Sequence, residues 1–195
     1  MGYSIDPISA NCYPDTTVLI NKFDIRDEEK LNEVESVLAS VRYAEWINAP
    51  KADSFDFEHY KAIHHFLFSD LYDWAGQIRA VNISKKGTNF TPAENIEEQA
   101  ALIFKRLKNC NYFKGLEYSV FVDEIVDFYC VTNALHPFRE GNGRTQRVFL
   151  TQLIRNAGYD INFADMDTEL LMIATIKSAQ GITEILKELL KEYIN

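Results

Sequence analysis

The chain has 195 residues, of which 47% are hydrophobic and 13% aromatic. This length suits one domain that buries its own core, and the composition excludes a disordered or low-complexity chain. The 29 acidic residues outnumber the 20 basic ones, for a net charge of -9, which excludes a surface that grips nucleic acid over its whole extent. We therefore expect any bound polyanion to be met by a local cluster of basic groups.

Targeting signals are absent from the sequence pattern. No stretch approaches the about 18 apolar residues that span a bilayer, and the N-terminus lacks the basic and then apolar segments of a secretory signal. The three cysteines, Cys12, Cys110 and Cys130, have no metal-ligand spacing, which favours reduced thiols. These features predict a cytoplasmic protein with no membrane partner, although translocation as an effector remains an alternative.

The first predicted elements are an irregular arm and two helices. Residues 1–24 hold two of the five prolines and little periodicity. From Asp27 onwards, apolar residues recur at three- and four-residue steps as far as Ile47, which is typical of one face of a helix. A second helix is predicted over 56–72.

The rest of the chain is predicted to be helical except for one hairpin. Alternating residues and the Lys86-Gly87 turn within Gln77–Phe90 indicate this hairpin, the only predicted β element. Thr91 and Pro92 have the chemistry of a helix cap and first turn. The remaining predicted helices cover 91–109, 117–135, 143–157, 167–178 and 182–193. The predicted fold class is all-α, as a single domain in which 1–54 is an arm and a helix, 55–160 the core and 161–195 the C-terminal helices.

The segment from His136 to Arg147 carries the one dense basic patch, because it holds three arginines within nine residues. Pro137 ends the preceding helix. Gly141 and Gly143 allow backbone conformations in which successive N–H groups converge at the start of the next helix, where anions bind. Arginines on that first turn reach phosphate oxygens in a two-pronged geometry. The segment therefore predicts a phosphate site.

Two further side chains of this segment indicate chemistry. Glu140 would be repelled by a bound phosphate unless a cation lay between them, and Mg²⁺ binds through one carboxylate together with substrate phosphates. His136 has an imidazole suited to act as a base for an attacking hydroxyl. Together they predict nucleotidyl or phosphoryl transfer from a Mg²⁺-nucleotide.

The sequence HPFREGNGRTQR, residues 136–147, resembles the Fic signature H-x-F-x-[DE]-G-N-G-R-x-x-R at every specified position. The segment Asp73–Arg79 and the hairpin after it resemble the flap of that family, about fifty residues before the motif. The resemblance covers roughly 55–160. It implies an all-α fold and transfer of AMP from ATP to a protein hydroxyl, with release of pyrophosphate.

The resemblance also implies roles for individual residues. His136 would be the catalytic base, Glu140 would hold Mg²⁺, and Arg144 and Arg147 would hold the phosphates, the latter at the γ-phosphate. Phe138 would be a core residue that fixes the loop. The implied ATP-binding residues are Arg139, Glu140, Gly141, Asn142, Gly143, Arg144 and Arg147. The implied target-docking flap residues are Lys85, Lys86, Gly87 and Thr88, whose strand edge would pair with a strand of the target protein.

Many members of the family inhibit themselves through the pattern [ST]-x-x-x-E-[GN], whose glutamate pairs with the second motif arginine. No serine or threonine here completes that pattern; Ser54 precedes Glu58 by four residues but is followed by His59 at the last position, and Glu35 has Leu31 in the serine position. The chain thus resembles the toxin half of a pair, and we expect a small antitoxin to supply a glutamate to Arg147. Resemblance to bacterial Fic toxins suggests type II topoisomerase subunits as targets.

Three alternatives remain at the level of sequence. Transfer of UMP or phosphocholine is open because the base pocket lies outside the motif. Phosphorylation is disfavoured because relatives with that chemistry carry Lys at the position of Gly143. A non-catalytic module that binds phosphate or DNA would need neither His136 nor Glu140, and the net charge of -9 also weighs against direct nucleic-acid binding.

Overall fold

The computed structural model describes residues 4–5, 11–47, 54–85 and 87–195. Within these ranges the chain forms seven α-helices and three short strands. The helices are α1 (Glu28–Ile47), α2 (Phe57–Phe68), α3 (Ile96–Asn109), α4 (Tyr118–Leu135), α5 (Asn142–Asn156), α6 (Thr168–Ser178) and α7 (Glu184–Tyr193). The strands are β1 (Ser4–Ile5), β2 (Ile83–Lys85) and β3 (Thr88–Asn89). The predicted all-α class is confirmed. No helix in the described ranges combines the length and apolarity needed to cross a membrane.

Helix α5 lies at the centre of the core, and its packing determines where its N-terminus points. Phe149 of α5 is fully buried and contacts the rings of Tyr60 from α2, Phe104 from α3 and Phe128 from α4. These ring pairs have centroids 5.4 to 5.7 Å apart, within the range of favourable aromatic packing. The surrounding helices therefore hold α5 on several sides.

Side-chain caps explain where three of the helices begin. The Asp56 side chain accepts the His59 N–H at 2.8 Å and caps α2, and Glu117 and Asp167 cap α4 and α6 in the same way. The predicted cap at Thr91 is wrong. Its hydroxyl donates to the Ala134 carbonyl at 3.1 Å, and α3 begins only at Ile96, after one 3₁₀ turn.

The predicted hairpin is confirmed as β2 and β3, which we call the flap, but the arm is less irregular than predicted. Strand β1 from the arm pairs antiparallel with β2, so the sheet order is β1-β2-β3. Ser84 lies opposite Ser4 on one side and Asn89 on the other. Strand β1 was not predicted because two residues show no periodicity and their partner strand is distant in sequence. Lys86 lies outside the described residues.

Candidate functional site

His136 stands at the junction of α4 and the motif loop, with its backbone in the left-handed region (φ 43°, ψ 61°). Its Nδ1–H donates to the Asn133 carbonyl at 2.9 Å, which leaves Nε2 as the basic nitrogen. Burial lowers the pKa of His136 to about 3. The ring of Phe90 stacks on the imidazole with centroids 3.7 Å apart. The imidazole is therefore neutral and held in one tautomer, as a general base requires.

Glu140 lies two residues before Asn142, the first residue of α5, and lines the same cavity as His136. Its Oε1 accepts the Gly141 N–H at 2.9 Å. Burial, and next the charge of Glu35, raise the pKa of Glu140 above its usual range. A carboxylate in this state favours the arrival of a proton or a cation.

The two glycines of the loop serve different purposes. Gly141 has φ +79°, and a Cβ there would lie 2.4 Å from two ring carbons of Phe68, so both conformation and space require glycine. Gly143, predicted to need a special conformation, is instead helical within α5. A Cβ on Gly143 would lie 3.4 Å from Nη1 of Arg147, an ordinary contact distance, so neither conformation nor space requires glycine here.

The two arginines of α5 differ in their partners. Arg144 makes an ion pair with Glu35 of α1, and its guanidinium carbon lies 4.8 Å from the centre of the Phe68 ring. Arg147 also lines the cavity, but none of the ion pairs among the described residues includes it. Arg147 is thus the motif arginine most open to an anionic partner.

Two predicted ATP-binding residues, Asn142 and Arg139, do not line the cavity. The Asn142 amide accepts the Phe138 N–H and donates to the Phe138 carbonyl, both at 2.8 Å, so this side chain closes the loop on itself. Arg139 is buried away from the lining of the cavity, and its Nη2 donates to Sγ of Cys12 in the arm at 3.5 Å. The structure does not bring Arg139 to the predicted phosphate site, because Arg139 precedes α5 and its side chain faces the arm.

Two buried residues that sequence reasoning did not select tie the loop to the segment before the flap. His64 accepts the Gly76 N–H at Nδ1, at 2.8 Å, and its Nε2–H donates to the Glu140 carbonyl at 2.9 Å. Arg79 donates from Nε to the His136 carbonyl at 2.8 Å and from its backbone N–H to the Pro137 carbonyl at 2.9 Å. Burial lowers the pKa of His64 to about 3, which keeps it neutral.

The signals for these residues were weak. His64 lies within the second predicted helix, 56–72, and Arg79 within the segment that resembles the flap, and no spacing marks either of them as a partner of the motif. Phe138 is fully buried between the rings of Tyr60 and His64, as predicted for a residue that fixes the loop.

Glu35 is the third such residue, since the sequence only excluded it as an inhibitory glutamate and gave it no other role. It is buried on α1, four residues from Leu31 and four from Ala39, both also buried. A carboxylate within an otherwise apolar stripe was the available signal, because buried charges require a partner.

The cavity in front of the loop has a volume of about 810 Å³. Its floor is the motif, with His136, Glu140, Gly141, Gly143, Arg144 and Arg147. The flap contributes Lys85 and Thr88 at one side, with Phe90 just after it. The other walls are α1 (Ser36, Ala39, Ser40, Tyr43) and the largely apolar α6 region (Phe163, Leu171, Met172, Ile176). The described residues contain no cluster of three metal-ligating side chains, so a cation here would take most of its ligands from phosphate and water.

A helical domain that places a neutral histidine, a carboxylate and two arginines around the N-terminus of a central helix, beside a β-hairpin, has the features of a nucleotide-handling domain. The Fic/DOC family model matches residues 54–154, and the chain belongs to that family.

Relatives and solved structures agree with this assignment. The chain is 39% identical over 177 residues to the probable protein adenylyltransferase y4lH of Sinorhizobium fredii, with 90% of this chain and 89% of that protein covered. It is 37% identical over 178 residues to the protein adenylyltransferase VbhT of Bartonella schoenbuchensis, covering 91% of this chain but 37% of that longer protein. The structure of BepC of Bartonella tribocorum with bound AMPPNP has a TM-score of 0.88 and 27% identity, and 95% of this chain and 96% of that one are covered.

Proposed function

We propose that the chain is a protein adenylyltransferase, which transfers AMP from ATP to a side-chain hydroxyl of a target protein and releases pyrophosphate. The observation that carries the proposal is the neutral His136, with Nε2 as its basic nitrogen, in the cavity that Arg144 and Arg147 also line. The names of the relatives and the AMPPNP in the BepC structure support the same chemistry.

The proposed step is an in-line displacement. Nε2 of His136 takes the proton of the target hydroxyl while its oxygen attacks the α-phosphorus of ATP. The bond from the α-phosphorus to the bridging oxygen of the β-phosphate breaks, and pyrophosphate leaves with the bonding electrons. The N-terminus of α5, Arg144 and Arg147 stabilise the charge that develops on the phosphates.

Mg²⁺ fits this site because Glu140 is a carboxylate beside the proposed phosphate position with a pKa raised by burial. Glu140 would hold the ion, which would supply positive charge to the phosphates. ATP would bind with its base toward α6, where Leu171, Met172 and Ile176 offer an apolar surface. The alternatives, transfer of UMP or of phosphocholine, are tested by whether UTP or CDP-choline competes with labelled ATP.

Labelled nucleotide gives the main test. With α-labelled ATP and Mg²⁺, we expect label on a target protein in a bacterial lysate, and none with His136→Ala. Label from γ-labelled ATP alone would indicate kinase chemistry. Tight DNA binding without any label would favour the phosphate-binding module.

We propose that the target docks as a strand on β3, because the other side of β2 is paired with β1. The Phe90 N–H points to the Ile83 carbonyl, so the N–H of Asn89 points away from β2. Asn89→Pro removes that donor at an exposed position. We expect it to reduce target labelling about tenfold without changing the affinity for ATP. Purified type II topoisomerase subunits are the first targets to test in this assay.

We also propose that a small antitoxin inhibits the chain in trans by placing a glutamate against Arg147. The absence of a carboxylate partner for Arg147 among the described residues supports this proposal. We expect the purified chain to be active without any activating truncation. Complete inactivity of the pure chain with ATP and Mg²⁺, relieved by removing part of its own α1, would contradict an inhibitor in trans.

A further inference from the structure

Glu35 of α1 connects the core to the motif through two hydrogen bonds. Its Oε1 accepts from Nη2 of Arg144, and its Oε2 accepts from the hydroxyl of Tyr72. Tyr72 is itself almost fully buried and stacks on Trp74, with centroids 4.3 Å apart and planes 20° apart. Glu35 is 6% exposed, so its carboxylate can turn away from Arg144 only by breaking buried contacts.

The Arg144 guanidinium is therefore held on two sides. Glu35 accepts one of its donors, and the face of the Phe68 ring lies 4.8 Å from its central carbon. Phe68 is buried and also contacts His64, the residue that holds the Glu140 carbonyl. Since a guanidinium has five N–H donors, those that Glu35 does not use remain for phosphate oxygens. A long, flexible side chain is thus fixed before any nucleotide arrives, which lowers the ordering cost of binding a transition state.

We propose that Glu35 is a positioning residue for the transfer of AMP: it fixes Arg144, through a link anchored at Tyr72, in the orientation that meets the phosphates. This proposal rests on the proposed function for its kinetic consequence. Glu35 acts through Arg144 and does not itself touch the nucleotide.

The geometry distinguishes this role from that of a brake. An inhibitory glutamate would have to pair with Arg147, or else release Arg144 when ATP binds. Glu35 instead pairs with Arg144, and the buried hydroxyl of Tyr72 holds its other carboxylate oxygen. An unpaired carboxylate next to Arg144 would repel phosphates bound by that arginine, and the ion pair removes most of that repulsion. The size of the effect of Glu35 on nucleotide binding should therefore depend on whether Arg144 is present.

Kinetics give the first test. We expect Glu35→Gln to lower kcat about tenfold, because a charged hydrogen bond that orients Arg144 is lost, and to change KM for ATP less than about threefold. Tyr72→Phe keeps the ring packing and removes one anchor of the carboxylate, so its kcat should fall in the same direction by a smaller factor. Glu33→Gln makes the same charge change at an exposed position of α1 and should leave kcat unchanged. A rise in kcat with Glu35→Gln would identify a brake and overturn the proposal.

A double-mutant cycle with Arg144→Ala gives the second test. In that background Glu35→Gln should no longer lower kcat. A structural defect would instead lower kcat equally in both backgrounds and lower the melting temperature as well.

The same cycle in binding separates this proposal from the proposed function. Calorimetry with Mg²⁺-ATP is done on His136→Ala protein, which binds nucleotide without turning it over. Glu35→Gln should change Kd less than about threefold when Arg144 is present and should tighten binding about tenfold when Arg144 is replaced, because the unpaired carboxylate is then removed. Equal tightening in both backgrounds would overturn the positioning role. If the wild-type chain labels no protein but the cycle shows this dependence, the proposed function fails and the link from Glu35 to Arg144 stands.

Discussion

Replacement of Gly141 by alanine tests how firmly the core constrains the motif loop. Gly141 precedes α5 with φ +79°, and an added Cβ would lie 2.4 Å from Cε2 and from Cζ of Phe68. Phe68 is 2% exposed, so its ring has little space into which it can move. Its displacement would also disturb its contacts with Arg144 and His64.

The expected loss of stability has two parts. A left-handed backbone costs a non-glycine residue about 1–2 kcal/mol, and overpacking of a well-filled core costs about 1–3 kcal/mol. Gly141→Ala should therefore lower the free energy of unfolding by about 2–5 kcal/mol, which for a chain of this size lowers the melting temperature by about 2–4 °C for each kcal/mol.

Gly115→Ala is the matched control. Gly115 has φ +75°, and a Cβ there meets nothing within 4 Å, so this variant carries the backbone cost of about 1–2 kcal/mol alone. Urea unfolding of both variants measures the difference, which is the cost of the contact with Phe68. If the two variants lose the same free energy, the loop relaxes without resistance and the reasoning is refuted.

Three further predictions concern the chemistry of the loop. Because burial lowers the pKa of His136 to about 3 from an ordinary 6.5, its titration should not reduce kcat/KM between about pH 8 and about pH 5; an acid limb assigned to His136 near 6.5 would contradict this. Because the pKa of Glu140 is raised in the folded state, its ionisation destabilises the fold above that pKa. Glu140→Gln should then raise the melting temperature of the nucleotide-free chain at about pH 8 and lose this gain below about pH 4, and a gain that persists in acid would contradict it. Gly143→Ala should leave the melting temperature unchanged or raise it, since alanine favours helix and its Cβ would meet Nη1 of Arg147 only at an ordinary contact distance of 3.4 Å. A lower melting temperature would contradict the helical placement of Gly143.

Features encoded by near neighbours in sequence were predictable. The seven helices follow from apolar periodicity, and α5 begins within one residue of its prediction, whereas α3 begins at Ile96 and not at the predicted cap. The motif is likewise local, since twelve consecutive residues carry the histidine, the carboxylate, the glycines and the arginines.

Contacts between distant parts of the chain were not predictable from these patterns. Arg139 and Arg144 look alike in sequence, but only Arg144 lies on the turn of α5 that faces the cavity, while Arg139 turns toward Cys12. The partner of Arg144 is Glu35, 109 residues away. That pairing depends on how α1 packs against α5, which no local spacing encodes.

The two clamps made by His64 and Arg79 determine how the loop opens. Arg79 binds the carbonyls of His136 and Pro137, and His64 links the Glu140 carbonyl to Gly76. The loop therefore cannot detach locally without breaking several buried hydrogen bonds at once. The amide protons of Gly76 and Arg79, both donated across these clamps, should exchange with solvent at rates close to those of the core amides of α5. The slowest-exchanging amides of the protein would then include two that report directly on whether its motif loop is assembled.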